Sequence, residues 1–286
     1  MPTDPNEVIA RIGAWASARS ITVEEQKGGK TNVNYRVTVD GEQFVLRISG
    51  PNTAPLGIDR ARERDATLAA ARIGVAPEVV AFLFPEGHLV TRFIAGREWS
   101  PDDLKRPDVI PRAADVLRQV HALPPIAGRF DPYRDTAERL ALIREHGLAL
   151  PASLPRMLER AAAIRHAREA ALDGALALCH NDPWHNNFLD DGTRVRLLDW
   201  EFAGMGDPFF DLASVTAVYS PEQKADFLRH YQGGATAASL EALEQMVFVV
   251  ILWNATWALV QIALEQTADD YATMARGMFN FLEARL

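Results

Sequence analysis

The chain has 286 residues, 48% hydrophobic and 24% charged, the composition of an ordinary globular protein, which excludes the disordered, collagen-like and disulfide-scaffold classes. Thirty Lys and Arg against 38 Asp and Glu leave a net charge of -8, so no overall basic field draws the chain to phosphate backbones, and nucleic acid is not expected as a partner. At about 150 residues per domain, the length suggests two domains or lobes.

The opening segment carries Asp4 and Glu7 where a secretory signal carries basic residues, so no signal peptide is expected. Asp4-Pro5 predicts a helix start, with Val8, Ile9, Ile12 and Trp15 at helical spacing behind it. From Ile21 the period changes to two through ITVEEQ, NVNYRVTV and EQFVLRIS, and Asp40-Gly41 joins the last two as a hairpin. Residues 59–73 read as a helix stopped by Gly74, and EVVAFLF and HLVTRFI form a second hairpin about Pro85-Glu86-Gly87. A small antiparallel sheet with one inserted helix is therefore expected over residues 1–95.

Residues 96–286 read as a larger, mostly helical lobe, with helices starting near Pro111, Asp135, Ser153, Pro221 and Ala237 and a last one at the C-terminus. Residues 176–213 interrupt it as a non-helical island, in which FLDD and RVRLLDW flank Gly192 as a short hairpin. Residues 245–264 are free of charge and long enough to span a bilayer. Acidic flanks at Glu241, Glu244 and Glu265 and the interruptions Asn254, Thr256 and Gln261 predict a buried helix instead, and no membrane partner. The single Cys179 excludes an internal disulfide and fits a reducing, cytoplasmic setting; the apolar run before it predicts a buried thiol, not a nucleophile. A junction between two lobes is where a ligand site is expected.

The island carries the chemistry. His180-Asn181-Asp182, then Asn187 five positions after the Asp, then Asp199 in an apolar LLD segment, have the order and approximate spacing of kinase machinery. Asp182, held against an acceptor hydroxyl, takes its proton; Asn187 and Asp199 are hard oxygen donors that suit Mg²⁺ on the phosphates of ATP. Each piece alone is equally a polar turn or an Asp-terminated strand. Together and in order they point to phosphoryl transfer.

With these residues in place, the sequence resembles the aminoglycoside phosphotransferase and choline kinase superfamily, whose motifs stand here as HNDPWHNN and LLDWEFAGMGDPFFDLA. It is more similar to the choline and ethanolamine kinase branch, through GGKTNVNYRV, FVLRISG, IDRARE, GVAPEVV and LWNATWALVQ. The resemblance implies an α+β, protein-kinase-like bilobal fold, with a small antiparallel β-sheet N-lobe and a mostly helical C-lobe. It also implies transfer of the ATP γ-phosphate to the hydroxyl of a small amino alcohol such as choline or ethanolamine. The alternatives are the same machinery acting on an aminoglycoside, thiamine or a sugar, and a non-catalytic nucleotide-binding regulator.

Carried over residue by residue, the resemblance makes Asp182 the base, Asn187 and Asp199 the Mg²⁺ ligands, and Glu201 a neighbour of metal or substrate. Asp207 and Asp211 are expected to brace the loop, and His180 to pack behind it. Trp184 and His185 face the acceptor or lie on the loop surface. Thr31 and Asn32, in GGKTN, cover the nucleotide, although paired glycines equally serve a turn. Arg47 meets the phosphates, oriented by Glu63, and Thr91, Phe93 and Ile94 form the adenine hinge. Trp253, Trp257 and Gln261 follow one another at i, i+4 and i+8, as a cage for an ammonium group or as core. Choline kinases often carry this Trp pair three apart, which makes Trp257 the better match.

Overall fold

A computed structural model describes residues 3–26, 32–51, 53–265 and 270–286. Asp4 caps the first helix, α1 (Pro5–Ile9), by accepting the N–H of Asn6. This helix ends before Trp15, which is reached through a separate 3-10 turn at Gly13–Trp15. The expected apolar face survives the break: Val8, Ile12 and Trp15 are buried under the sheet, and the Trp15 ring centroid lies 5.2 Å from that of Phe44.

The two-residue period becomes β1 (Ile21–Gln26), β2 (Val33–Val39) and β3 (Glu42–Ile48). Asp40 and Gly41 take φ of 49° and 91°, the left-handed pair that a tight hairpin needs to match strand twist. β4 (Val79–Leu83) and β5 (His88–Arg92) complete a five-stranded antiparallel sheet in the order β1-β2-β3-β5-β4. Val37, Phe44, Leu46 and Val90 form its own small core with α1.

α2 (Thr53–Leu56) and α3 (Arg60–Arg72) are inserted between β3 and β4. Asp59 caps α3 at the N–H groups of Ala61 and Arg62. Ala66 and Ala70 of this helix pack into the larger core of the molecule, with Leu117, Leu178 and Val250, and not into the core of the sheet. Arg62 reinforces that attachment by donating to the carbonyl of Arg129 at 2.8 Å.

The remainder runs through β6 (Arg97–Glu98), α4 (Pro101–Leu104), α5 (Ile110–His121), α6 (Pro132–Glu145) and α7 (Leu154–Leu172). β7 (Ala177–Cys179), β8 (Phe188–Asp190), β9 (Val195–Leu197) and β10 (Gly204–Gly206) follow, then α8 (Pro208–Thr216), α9 (Pro221–Gln232), α10 (Ala237–Ala263) and α11 (Tyr271–Glu283). β8 and β9 are the expected hairpin about Gly192, extended by β6, while β7 pairs antiparallel with β10. α8 begins inside the segment expected to be non-helical, because Asp207 caps it at the N–H of Phe209 and Pro208 fits its first position. α10 has the length and apolarity to cross a membrane, yet 83% of its most apolar window is buried inside the protein, against α6, α8 and α11. A helix apolar on every side is stable in water only when neighbours cover it all round.

Candidate active site

The turn from β7 to β8 carries the loop His180–Asn187. Two backbone donors at its start point at one carboxylate: the N–H of His180 donates to Asp211 Oδ2 at 2.8 Å and the N–H of Asn181 to Oδ1 at 2.6 Å. Asp211, in the first turn of α8, also accepts from His121 Nε2 at 2.9 Å, and His121 Nδ1 lies 2.8 Å from the Tyr231 hydroxyl. The loop is thus fixed by a chain of hydrogen bonds running back to α5 and α9. Cys179 lies near His121 and Asp211, but the bonds these two already make leave no open ligand set, and burial pushes the thiol pKa well up. His180 donates from Nε2 to the Leu198 carbonyl at 2.8 Å, accepts the N–H of Asp182 at Nδ1, and packs edge-on to Trp200. Burial lowers its pKa, so it sits behind the loop as a neutral spacer.

Asn181 holds φ at 65°, and its Nδ2 donates to the Phe202 carbonyl at 2.9 Å, which links the loop to the segment after β9. Asp182 follows, half-buried. Asn187 donates from Nδ2 both to the Asp182 carbonyl at 2.8 Å and to Asp182 Oδ2 at 3.2 Å. With its nitrogen committed in this way, Asn187 has its oxygen left to offer a cation. Asp199, at φ 59°, keeps its side chain 39% exposed, with Oδ1 3.4 Å from Arg47 Nη1. Desolvation and the charge of Glu201 push the Asp199 pKa up to about 7, and burial with the charge of Asp199 raises that of Asp182 well above the usual range. Two carboxylates and an amide oxygen brought together here are hard oxygen donors that fit Mg²⁺.

Arg47 on β3 pairs through Nη2 with Glu63 on α3, as expected, and donates from the same nitrogen to the carbonyl of Gly87 at 3.1 Å. Burial works against the guanidinium, but Glu63, Glu201 and Asp199 together raise its pKa above the ordinary value. Glu201 lies beside Asp199, the expected metal ligand, whose charge environment it shapes. It is buried, its Oε1 accepts from Arg60 at 2.6 Å, and its Oε2 accepts from Asn32 Nδ2 at 2.9 Å, so it is engaged by the protein and not presented to a substrate. Asn32 in turn accepts the N–H of Gly50, so it ties the segment after β3 to Glu201. Thr31 lies outside the described residues.

At the expected hinge, Thr91 sits within the sheet opposite Val45 and Val79, and the N–H of Phe93 is spent on the carbonyl of Gln43. The Phe93 ring lies under the Arg36 guanidinium, 4.2 Å from its centroid. Ile94, half-buried, is the first expected hinge residue past these bonds.

Trp253 is a core residue. Its ring is 2% exposed, meets the edges of Phe130, Phe202 and Phe210, and has the buried Arg139 guanidinium 4.1 Å from its centroid, so an internal cation already occupies its face. This corrects its expected contact with substrate: spacing along a helix does not say which face a large core claims. Trp257 is half-buried, with its ring edge-on to Tyr271, and Trp184 is half-buried on the loop next to Asp182. His185 is turned away, with Nδ1 3.0 Å from the Trp99 carbonyl.

Sequence reasoning missed Arg60, His121 and Arg139 as parts of the site's framework. Arg60 stood in the quoted IDRARE segment three residues before Glu63, which was the one available signal. The hydrogen-bond partners of His121 and Arg139 lie 83 or more residues away along the chain, where no local pattern reaches.

Known proteins share this fold. Residues 22–245 match the sequence profile of the phosphotransferase enzyme family. The crystal structure of a choline/ethanolamine kinase family protein from Mesorhizobium loti superposes with a TM-score of 0.80 at 32% identity, covering 99% of this chain and 94% of that one. The protein LicA of Haemophilus influenzae is 29% identical over 208 residues, 70% of this chain and 60% of its own length. Ethanolamine kinase 2 of Rattus norvegicus is 26% identical over 288 residues, 89% of this chain and 73% of that one. With the antiparallel N-terminal sheet, the helical remainder and the loop between β7 and β8 all in place, the chain belongs to the phosphotransferase enzyme family.

Proposed function

We propose that this enzyme transfers the γ-phosphate of ATP to the hydroxyl of a small amino alcohol, choline or ethanolamine first, with residues 1–95 as the lobe over the nucleotide and residues 96–286 as the lobe that holds the acceptor. The observation that carries this reading is the meeting of Asp182 with Asn187 and Asp199 beside the Arg47–Glu63 pair. The names of the relatives, a choline/ethanolamine kinase family protein and an ethanolamine kinase, support the class of acceptor.

In this reading, Asn187 Nδ2 fixes the Asp182 carboxylate, whose raised pKa makes it the stronger base once ionised, and Asp182 takes the proton of the acceptor hydroxyl as the bond to phosphorus forms. Mg²⁺ held between Asn187 and Asp199 would neutralise charge on the phosphate oxygens. Arg47, oriented by Glu63, binds those oxygens from the sheet side. The backbone at Ile94 meets the adenine edge. Trp184 and Trp257 face the amine, where aromatic rings and a net charge of -8 favour a cation. An ADP-release screen over choline, ethanolamine, thiamine and an aminoglycoside tests the acceptor. Turnover with either amino alcohol supports the proposal, and turnover confined to the other two overturns it.

A further inference from the structure

Arg60, the first residue of α3, is buried at 8% exposure, and one of its atoms does two things. Its Nη1 stands 2.6 Å from Glu63 Oε2 and 2.6 Å from Glu201 Oε1. Glu63 is one turn further along the same helix and grips Arg47 with its other oxygen. Glu201 follows β9 two residues after Asp199, in the other half of the molecule. A single nitrogen therefore joins the helix that orients Arg47 to the segment that carries Asp199.

The charges make this joint specific. Among the described residues, Arg47 and Arg60 face Glu63 and Glu201, two cations against two carboxylates, beside the further carboxylates of Asp182 and Asp199. Glu201 Oε1 is also 3.8 Å from Arg47 Nη1, the nitrogen that faces Asp199. With Arg60 gone, Glu201 would lose its 2.6 Å guanidinium partner and draw that nitrogen of Arg47 toward itself, away from a phosphate. The fold makes room for Arg60 at Gly87, in the β4–β5 turn at φ 80°, where a Cβ would come within 2.2 Å of Arg60 Cδ.

We propose that Arg60 is the positioning residue for the triphosphate: by holding Glu63 and Glu201 on one nitrogen, it keeps Arg47 directed at the phosphates and α3 joined to the Asp199 segment. This rests on the kinase reading of the site. Because Arg60 uses one nitrogen for both carboxylates, a lysine ammonium can take its place. Arg47 uses Nη1 toward Asp199 and Nη2 toward Glu63 and Gly87, so lysine cannot replace it.

The test is calorimetric and needs no acceptor. Wild type, R60M, R60K and R47K are titrated with ATP in the presence of Mg²⁺ and, separately, with adenosine. R60M is expected to weaken Mg²⁺–ATP about tenfold or more, while R60K stays within about threefold of wild type and R47K does not. Adenosine, which lacks phosphates, is expected to bind all four proteins alike, whereas a merely structural role would move both ligands together. Unchanged Mg²⁺–ATP affinity in R60M, a parallel loss of adenosine, or an R60K as weak as R47K each overturns the proposal. Should R60M fail to fold, the comparison of R60K with R47K decides by the same criterion. A wild type that binds no Mg²⁺–ATP overturns the kinase reading itself, which is a different result from a wild type that binds and an R60M that binds equally well.

Discussion

The backbone N–H of Asn181, immediately before the proposed base, donates to Asp211 Oδ1 at 2.6 Å, and Asp211 is fully buried. A loop that must hold Asp182 against an acceptor is thereby fixed from below by the Asp211 carboxylate as well as by bonds within its own turn. Asp211→Asn keeps the shape but sets an amide N–H₂ against one of two backbone N–H donors. Hydrogen bonds to charged groups are worth about 1.5–3 kcal/mol, so this variant should unfold at lower temperature and turn over more slowly. A scanning-calorimetry trace and kcat equal to those of wild type would remove Asp211 from its bracing role.

Asp199→Ala deletes a carboxylate that faces the cleft and the proposed metal. Tightening of ATP binding by Mg²⁺ should disappear, while ATP in EDTA binds as before. Calorimetry with and without Mg²⁺ checks this, and tightening that persists in the variant places the metal elsewhere.

The two tryptophans of α10 should part company. Trp253→Leu opens a cavity among Phe130, Phe202 and Phe210 and uncovers the Arg139 cation, so a loss of about 2–4 kcal/mol is expected, with no selective change in the KM for amine. Trp257→Leu, at a half-buried position, should raise the KM for the amine several-fold and leave Tm and the KM for ATP nearly unchanged. A Trp257→Leu protein with lower Tm and unaltered amine KM would make this residue core as well.

Much of this was readable in the amino-acid order because the determinants are local. The alternation through Val37 and Leu46, the Asp40-Gly41 turn and the Asp4 cap act over two to four residues, and the order of Asp182, Asn187 and Asp199 reflects a loop and the hairpin that follows it. What was not readable depends on partners brought together by folding. Asn32 meets Glu201 across 169 residues and Arg60 meets it across 141, and nothing beside Glu201 in the chain announces that both its oxygens are taken. Trp253 failed for the same reason, since Arg139 comes from a different helix, α6.

Stability in acid should depend on Asp190, which accepts Arg112 Nη1 at 2.5 Å and Nη2 at 2.7 Å, and Trp99 Nε1 at 3.3 Å. The Arg112 hydrogen bonds hold its pKa below the ordinary value, so the folded pKa is lower than the unfolded one. The stability it contributes is then complete above about pH 4 and is lost as pH falls through the folded pKa. Asp190→Asn should lower Tm at neutral pH and flatten the fall of Tm in acid. Wild-type and variant curves that stay parallel down to the acid limit would rule this out.

The central claim is that Asp182 passes a phosphate from ATP to the hydroxyl of an amino alcohol, and ³¹P NMR of the product tests it most directly. Wild type with ATP, Mg²⁺ and choline or ethanolamine should give a phosphomonoester resonance growing in step with ADP, and Asp182→Asn, folded and still binding ATP, should form it about 10² times more slowly or less. No ester from either amino alcohol, or an ester formed at the wild-type rate by Asp182→Asn, would contradict the account.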